Sequence, residues 1–508
     1  MGKLFKFLTG RLFLTSIFIL IQIATLFFAV FTLSTHSAAA YIILYVVSLI
    51  MAILVASGEE NPSFRIAWLI LMTVFPVFGW LFYYMFSYRK PFKKTLCRLK
   101  NYSEQINALE KETESVSQNL ELGIAARRQI NYLENIVKSR VRINTQTLFF
   151  KSGEEFFPMY LEKLRSAEKF IFIEYFIINK GIMWDSILEI LKEKAKIGVD
   201  VRILYDDMGT INHLPSYYPQ ILKSYGIKSC IFNKYHASID SFLNSRDHRK
   251  ITVIDGKFCF TGGLNLSDEY INEVTLHGHW KDCALMLCGD AVDDMTASFL
   301  TLWHFSKRKR IKDEEAQFFC AESKENDGVV VCFEDEPYDR ITVGKSLYMN
   351  LISTAQDHIY ICTPYLILDN EIAKALKLSA QSGVNVKIVT PHIPDKKWVH
   401  EVTRANYDRL IESGVEIYEY TKGFVHSKMI CADGDNAIVS TVNFDFRSFY
   451  MHFENGVYMY KSNAVSQVCD DFASLFSQCE KIAYGQFSSK NPLVVLKRRL
   501  LKLFSPLM

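Results

Sequence analysis

Two stretches of this 508-residue chain carry a histidine, a lysine, an aspartate and an asparagine in the same order and at the same intervals. In DHRKITVIDGKFCFTGGLNLSDEY they are His248, Lys250, Asp255 and Asn265. In VHSKMICADGDNAIVSTVNFDFRSF they are His426, Lys428, Asp433 and Asn443. An imidazole, an ammonium and a carboxamide gathered on one patch suit a phosphate, as a nucleophile or acid, a charge clamp and a hydrogen-bond donor. A single His and Lys beside a strand is as often just a solvated strand end. Two copies in phase point to function.

The flanking residues show how such groups are positioned. KITVID reads as a buried strand, Asp255-Gly256 as a tight turn and KFCFTGG as the returning strand; the second copy again has Asp-Gly at the turn. Side chains along a strand alternate, so His248 and Lys250 leave one face together, and the hairpin brings Asn265 back toward them. Asp255 and Asp433 complete the motif, but their turn positions favour holding strand ends over direct chemistry.

The elements around the motifs repeat as well. The segments IFIEYFIINKGIMWDSILEILKEKAKIGVDVRILYDD and IYICTPYLILDNEIAKALKLSAQSGVNVKIVTP each run strand, amphipathic helix, Gly-Val, strand. Ile187, Leu188, Ile190 and Leu191 supply one apolar helical face, and Ile372, Leu376 and Leu378 the other. The expected fold class is therefore α/β, two repeats that are each a mixed sheet flanked by helices. The first repeat is expected over 146–310 and the second over 328–490, with a charged linker or exposed insertion from about Lys307 to Asp327.

The amino-terminal part is of another kind. Three apolar stretches, from Leu12 to about Leu33, from about Ala38 to Ala56 and from about Ala67 to Phe86, predict a helical membrane anchor over 1–90 with two or three hydrophobic helices. The basic residues Lys3, Lys6 and Arg11 precede the set, and the denser run Arg89, Lys90, Lys93, Lys94, Arg98 and Lys100 follows it. The denser run places the remainder of a multi-pass cell-membrane protein in the cytoplasm. Either the amino terminus is then outside, or one segment lies in the interface. A helical connector is predicted over 91–145. Residues 491–508 form a basic amphipathic tail that reads as an interfacial helix drawn to anionic lipid, or as a helix packed on the domain.

Composition narrows the chemistry. A net charge of +3 is unremarkable, and no Gly-rich phosphate loop of the P-loop form is present. The 11 cysteines lack metal-like spacing and read as buried apolar thiols in a reducing compartment, outside any disulfide framework.

The doubled H-x-K-x4-D motif resembles that of the phospholipase D superfamily. The membrane anchor together with DHRKITVIDGKFCFTGGLN, TPYLILDN, VHSKM and NFDFRSFYMHFE resembles the bacterial cardiolipin synthases, over the whole chain. Two departures stand out: Leu368 where that family usually has Pro, near the expected lipid site, and Ser440 for the first Gly of the second G-x-x-N element. The resemblance implies two phospholipase D-like repeats sharing one pseudo-twofold site, with His248 as nucleophile forming a phosphohistidine and His426 as acid and base. Lys250 and Lys428 would clamp the phosphate, Asn265 and Asn443 would donate to it, and Ser267 and Ser448 could add hydroxyls. Asp282 and Glu454 follow the two histidines at comparable distances, and the resemblance places acids there to orient the imidazoles. The implied reaction moves a phosphatidyl group from one phosphatidylglycerol to another with neither metal nor cofactor; hydrolysis by a membrane-bound phosphodiesterase is the alternative. The implied partners are phosphatidylglycerol and anionic membrane lipid, with no nucleic acid; the oligomeric state stays open.

Overall fold

A computed structural model describes residues 11–86, 93–110, 120–235, 244–339, 341–489 and 491–507. Lys3, Lys6, Arg89 and Lys90, on which part of the orientation argument rests, lie outside these residues.

The repeat read from the sequence is a repeat of topology. The strands of the first half are β1 (Thr145–Phe150), β2 (Phe170–Tyr175), β3 (Asp200–Asp206), β4 (Lys228–Phe232), β5 (Arg246–Asp247), β6 (Lys250–Ile254), β7 (Phe258–Gly262), β8 (His279–Lys281) and β9 (Ala284–Gly289). Seven of them form a sheet in the order β1-β9-β7-β6-β2-β3-β4. The second half contains β10 (Val329–Asp335), β11 (His358–Cys362), β12 (Asn385–Pro391), β13 (Glu416–Tyr420), β14 (Gly423–Val425), β15 (Met429–Ala432), β16 (Asn436–Ser440), β17 (His452–Tyr460) and β18 (Cys479–Lys481). Its order, β10-β17-β16-β15-β11-β12-β13, reproduces the first and then adds β18. In both sheets the strand before the amphipathic helix pairs in parallel with the strand after it, and antiparallel with the first strand of the motif hairpin.

Burial explains why these strands read as near-continuous apolar runs. The helices Ile182–Lys196 and Asn370–Gln381 cover the outer faces of their sheets through Trp184, Ile187, Leu191, Ile372 and Leu376, all of them buried. The inner faces meet in a shared core with the helices Ala291–Lys307 and Asn463–Phe476, where Val253, Leu285, Phe299, Val439, Val457 and Phe472 are in one cluster. A sheet apolar on both faces cannot show strict alternation.

The connector straddles both halves. Leu99 and Ile106 of the helix Lys93–Asn107 enter the shared core, whereas Ile130 and Leu133 join the core of the second half. The charged segment after the first repeat is not simply exposed: Phe318 is buried, and Glu315 accepts from Arg202 at 2.9 Å. The structure also joins Cys431 on β15 to Cys469 on the helix Asn463–Phe476 at a sulfur–sulfur distance of 2.21 Å, a pair that the scattered cysteine spacing does not reveal.

The anchor contains the helices α1 (Arg11–His36), α2 (Ala38–Ala56), α3 (Pro62–Val74) and α4 (Pro76–Phe86). Among the described residues, α2 is the one helix long and apolar enough to cross a bilayer. The third apolar stretch is not one span. The chain leaves the helix at Phe75 (φ −126°, ψ 73°), and Pro76, having no N–H to continue the ladder, starts another. α3 and α4 fold back on each other, with Trp68 edge-on to Tyr83 at 5.4 Å between ring centroids. A Cβ on Gly79 would lie 2.4 Å from the Met72 Cα, so only glycine permits this approach. Each helix is shorter than the roughly 20 residues a crossing needs.

α3 instead docks on the second half. Phe64 packs edge-on against Phe446 and Tyr450, at 5.4 and 5.5 Å between centroids, and Asn61 donates to Asp369 at 3.1 Å and Tyr450 at 2.9 Å. The C-terminal helix Pro492–Leu503 packs there too: Leu501 reaches the Phe64 cluster and Arg498 pairs with Glu401 at 3.0 Å. Leu493, Leu496, Leu500 and Phe504 stay exposed. The tail thus has both a packed face and a bare apolar one.

Candidate active site

Two short strands outside the main ladders explain how the halves share one site. β5, ending just before His248, pairs in parallel with the start of β17, which carries Glu454. β14, ending just before His426, pairs in parallel with β8, which ends just before Asp282. Backbone bonds seal both joints: His248 N–H donates to Phe453 O at 2.9 Å and His426 N–H to Lys281 O at 2.7 Å. Each motif histidine is therefore placed against the acid of the opposite half.

The side chains follow. His248 Nδ1 donates to Glu454, 2.9 Å from Oε2 and 3.1 Å from Oε1. His426 Nδ1 donates to Asp282 Oδ2 at 2.7 Å. A carboxylate on Nδ1 fixes the tautomer and leaves Nε2 for chemistry. Asp282 Oδ1 also accepts from the Cys283 N–H at 2.8 Å, and a Cβ on Gly263 would fall 2.0 Å from that oxygen, so the second Gly of the motif makes room for the acid. In the other half Thr441 holds the matching position, and its hydroxyl donates to Glu454 Oε2.

Lys250 and Lys428 are both buried beside the histidines, as the strand period requires. Lys250 Nζ donates to the His248 carbonyl at 2.5 Å; Lys428 Nζ lies 2.8 Å from His426 Nδ1 and 3.0 Å from its Nε2. Crowding so many cations out of water lowers their proton affinity. Burial, and then the charge of Lys428, bring Lys250 down to about 7 although Glu454 opposes the shift. Burial also lowers Lys428, against the pull of Asp282. Burial and the lysines push His248 well below the usual histidine value, and burial with Lys428 lowers His426 to about 4. Burial works against the Asp282 carboxylate, but His426 and Lys428 outweigh it and hold its pKa below the ordinary value. The site thus combines neutral imidazoles and an ionised Asp282 with two buried lysines whose charged form an anionic phosphodiester would favour.

The remaining expected residues are placed less uniformly. Asn265 accepts from the Ile177 N–H at 3.1 Å and donates one N–H to the Tyr270 hydroxyl at 2.6 Å. Asn443 keeps a buried Oδ1 with no hydrogen-bond partner. Ser267 donates to Glu269, and the Ser448 hydroxyl is buried with no partner. Asp255 and Asp433 do not join the histidines. They sit at the hairpin tips with φ of 54° each, about 16 Å from the lysines at roughly 3.3 Å per residue. Asp255 accepts from the N–H groups of Glu168, Lys169 and Phe170, and Asp433 from those of Gln356, Asp357 and His358. Each ties its hairpin to the start of the neighbouring strand, so the motif aspartates belong to the scaffold and not to the catalytic group. Leu368 is buried in the core of the second half.

Three contributors have no place in the expected set. His452 stands two residues before Glu454 on β17, on the same face, with its Nδ1 3.5 Å from Glu454 Oε1; that spacing was the available signal. Thr441 was hidden because it replaces a glycine. Aromatic walls close the site, with Phe176 edge-on to His248 at 5.3 Å and Tyr270 edge-on to His426 at 5.5 Å.

Comparison with known proteins agrees with this architecture. A family described as cardiolipin synthase, PLD-like domain, matches residues 160–302 and 348–476, and a phospholipase D-nuclease N-terminal family matches residues 43–87. An uncharacterised protein of Streptococcus mutans serotype c (strain ATCC 700610 / UA159) is 37% identical over 456 residues, 87% of this chain and 96% of that protein. A cardiolipin synthase of Geobacillus sp. (strain WCH70) is 33% identical over 461 residues, 90% of this chain and 91% of its own length. Among solved structures, the phosphatidylserine synthase of Haemophilus influenzae Rd KW20 aligns with a TM-score of 0.57 at 16% identity, covering 75% of this chain and 98% of that one, a likeness of fold.

Proposed function

Because the chain belongs to the cardiolipin synthase family with phospholipase D-like domains, we propose that this membrane-associated phosphatidyltransferase makes cardiolipin from two molecules of phosphatidylglycerol. The observation that carries the reading is the crosswise wiring of His248 to Glu454 and His426 to Asp282, which arms two imidazoles from opposite halves.

His248 Nε2 attacks phosphorus while His426 delivers a proton to the departing glycerol oxygen, leaving a phosphatidyl group on His248. His426 then takes the proton from the primary hydroxyl of a second phosphatidylglycerol. That oxygen attacks phosphorus, the P–N bond breaks, and cardiolipin leaves. Lys250 and Lys428 balance charge on the non-bridging oxygens. The substrate's negative charge offsets the two lysines that depress His426, so binding itself raises the proton affinity of the acid.

The attachment of α3 to the helix Phe446–Tyr450, just after Asn443, supports a catalytic part held against the bilayer. The exposed Leu493, Leu496 and Leu500 with the cations of the C-terminal helix extend that surface. We assign residues 1–90 to the anchor, 146–310 and 328–490 to the repeats, and the cytoplasmic side to the site, following the basic run after the third apolar stretch.

Purified protein incubated with phosphatidylglycerol labelled in its headgroup and acyl chains tests the reading. Labelled cardiolipin with equimolar free glycerol is expected. Phosphatidic acid as the main product would make the enzyme a hydrolase, and no turnover would sink the proposal.

A further inference from the structure

His452 is the one histidine at the site that the transfer does not use. Its Nδ1 is sealed from solvent and has no well-aligned hydrogen-bond partner, an unusual state for a buried polar atom. Its neighbour is Glu454 Oε1 at 3.5 Å, and the same oxygen lies 3.1 Å from His248 Nδ1. Donor atoms of His248, His452 and Glu454 all fall within 4.8 Å of one another. Metal–ligand bonds of about 2.0–2.1 Å at tetrahedral angles put neighbouring donors about 3.3 Å apart, so the two separations from Glu454 Oε1 fit, and a cation would draw the two imidazoles together. Two imidazole nitrogens and one carboxylate oxygen form a donor set suited to zinc, whereas magnesium and calcium want oxygen donors alone.

We propose that His248, His452 and Glu454 form an inhibitory site for a zinc-class divalent cation, lying behind the nucleophile and taking no part in the reaction. The cation takes the lone pair of His248 Nδ1, and the single N–H proton of the neutral ring moves from Nδ1 to Nε2. The atom that must attack phosphorus is then capped by a proton, and Glu454 is drawn from orienting the ring to holding the metal. The inhibitory half of this proposal rests on His248 being the nucleophile; the binding half does not.

The test uses the full chain in detergent micelles. Zinc binding is read by competition with a chromophoric chelator, for the parent and for His452→Gln, and cobalt(II) spectra are taken on the parent. Losing even an outer partner of a metal ligand costs about 10- to 100-fold in affinity, so losing a ligand should cost no less. One zinc bound per chain, at least about tenfold weaker in His452→Gln, with intense tetrahedral-type cobalt bands in the parent, supports the site. Equal zinc affinity in the two proteins, or only the weak spectrum of octahedral cobalt, overturns it. In the transfer assay, normalised to each protein's metal-free rate, zinc should inhibit the parent reversibly by chelator, and His452→Gln should need at least about tenfold more. Equal sensitivity, or equal inhibition by magnesium, overturns the inhibitory half. A protein that binds zinc as described yet shows no transfer would refute the function proposed above and leave the metal site standing.

Discussion

His426 Nδ1 lies 2.7 Å from Oδ2 of Asp282, a residue 144 positions earlier and in the other half of the chain. Each motif histidine takes its carboxylate from the opposite half; the pairing is created where β8 meets β14 and β5 meets β17. Asp282→Asn keeps the shape but offers its amide N–H₂ or carbonyl to the ring and no longer stabilises a cation. By the measure of a buried aspartate behind a catalytic histidine, kcat should fall by about 100- to 10,000-fold with KM little changed. Glu454→Gln should do the same to His248. The double variant should be far less impaired than the product of the two effects, because both act on one two-step reaction. Steady-state kinetics with protein level and fold controlled decide it; a loss under about threefold for both would remove the carboxylates from the mechanism.

The two histidines should separate when the leaving group needs no proton. With an activated phosphodiester that releases nitrophenolate, His426→Ala should still form the covalent intermediate, and His248→Ala should not. Rapid denaturing quench with labelled substrate reads the difference as acid-labile, alkali-stable label on the protein. Label on His248→Ala and none on His426→Ala would exchange the two roles.

Lys250 gives the site a pH dependence whose sign follows from its depressed value of about 7. Its pKa in the unfolded chain is about 10.4, so burying the cation costs stability, increasingly as pH falls from about 10.4 to 7 and without further change below that. An anionic ligand relieves this cost. Below about pH 7 the ammonium is already charged and the anion binds directly; above it the anion must recruit a proton, and affinity should fall by up to about tenfold per pH unit. Tungstate should therefore raise the thermal midpoint more at about pH 6 than at about pH 8.5, and Lys250→Met should flatten the difference. A larger shift at the higher pH would contradict the argument.

The chemistry was more legible in the sequence than the wiring. His248 and Lys250, at i and i+2 on a strand, had to share a face, and the duplicated spacing announced two such faces. Mixed sheets covered on both sides were readable from the apolar runs and the helix between them. The partner of each histidine was not readable, because β5, β8 and β14 are two or three residues long and carry no periodic signal. The hairpin of α3 and α4 was hidden by hydropathy, which sums apolar character across Pro76 as though the helix continued. His452 belongs to neither copy of the motif, and only the strand period counted back from Glu454 places it at the site.

The motif aspartates offer a separation of scaffold from chemistry. Asp255 holds three backbone N–H groups, including the buried one of Phe170, and adopts φ 54°, a conformation alanine resists. Asp255→Ala should lower stability by about 1–3 kcal/mol for each amide left unpaired out of water, plus about 1 kcal/mol for the left-handed backbone. Asp255→Asn, which tolerates that backbone and keeps one acceptor oxygen, should lose less. Denaturant midpoints measure both, and kcat per folded molecule should stay close to the parent's in each, because the carboxylate lies at the far end of β6 from Lys250. If Asp255→Ala abolished turnover at unchanged stability, the aspartate would have to act on the substrate across the length of a strand, which a side chain of two carbons beyond Cα cannot span; the hairpin would then have to rearrange during the reaction.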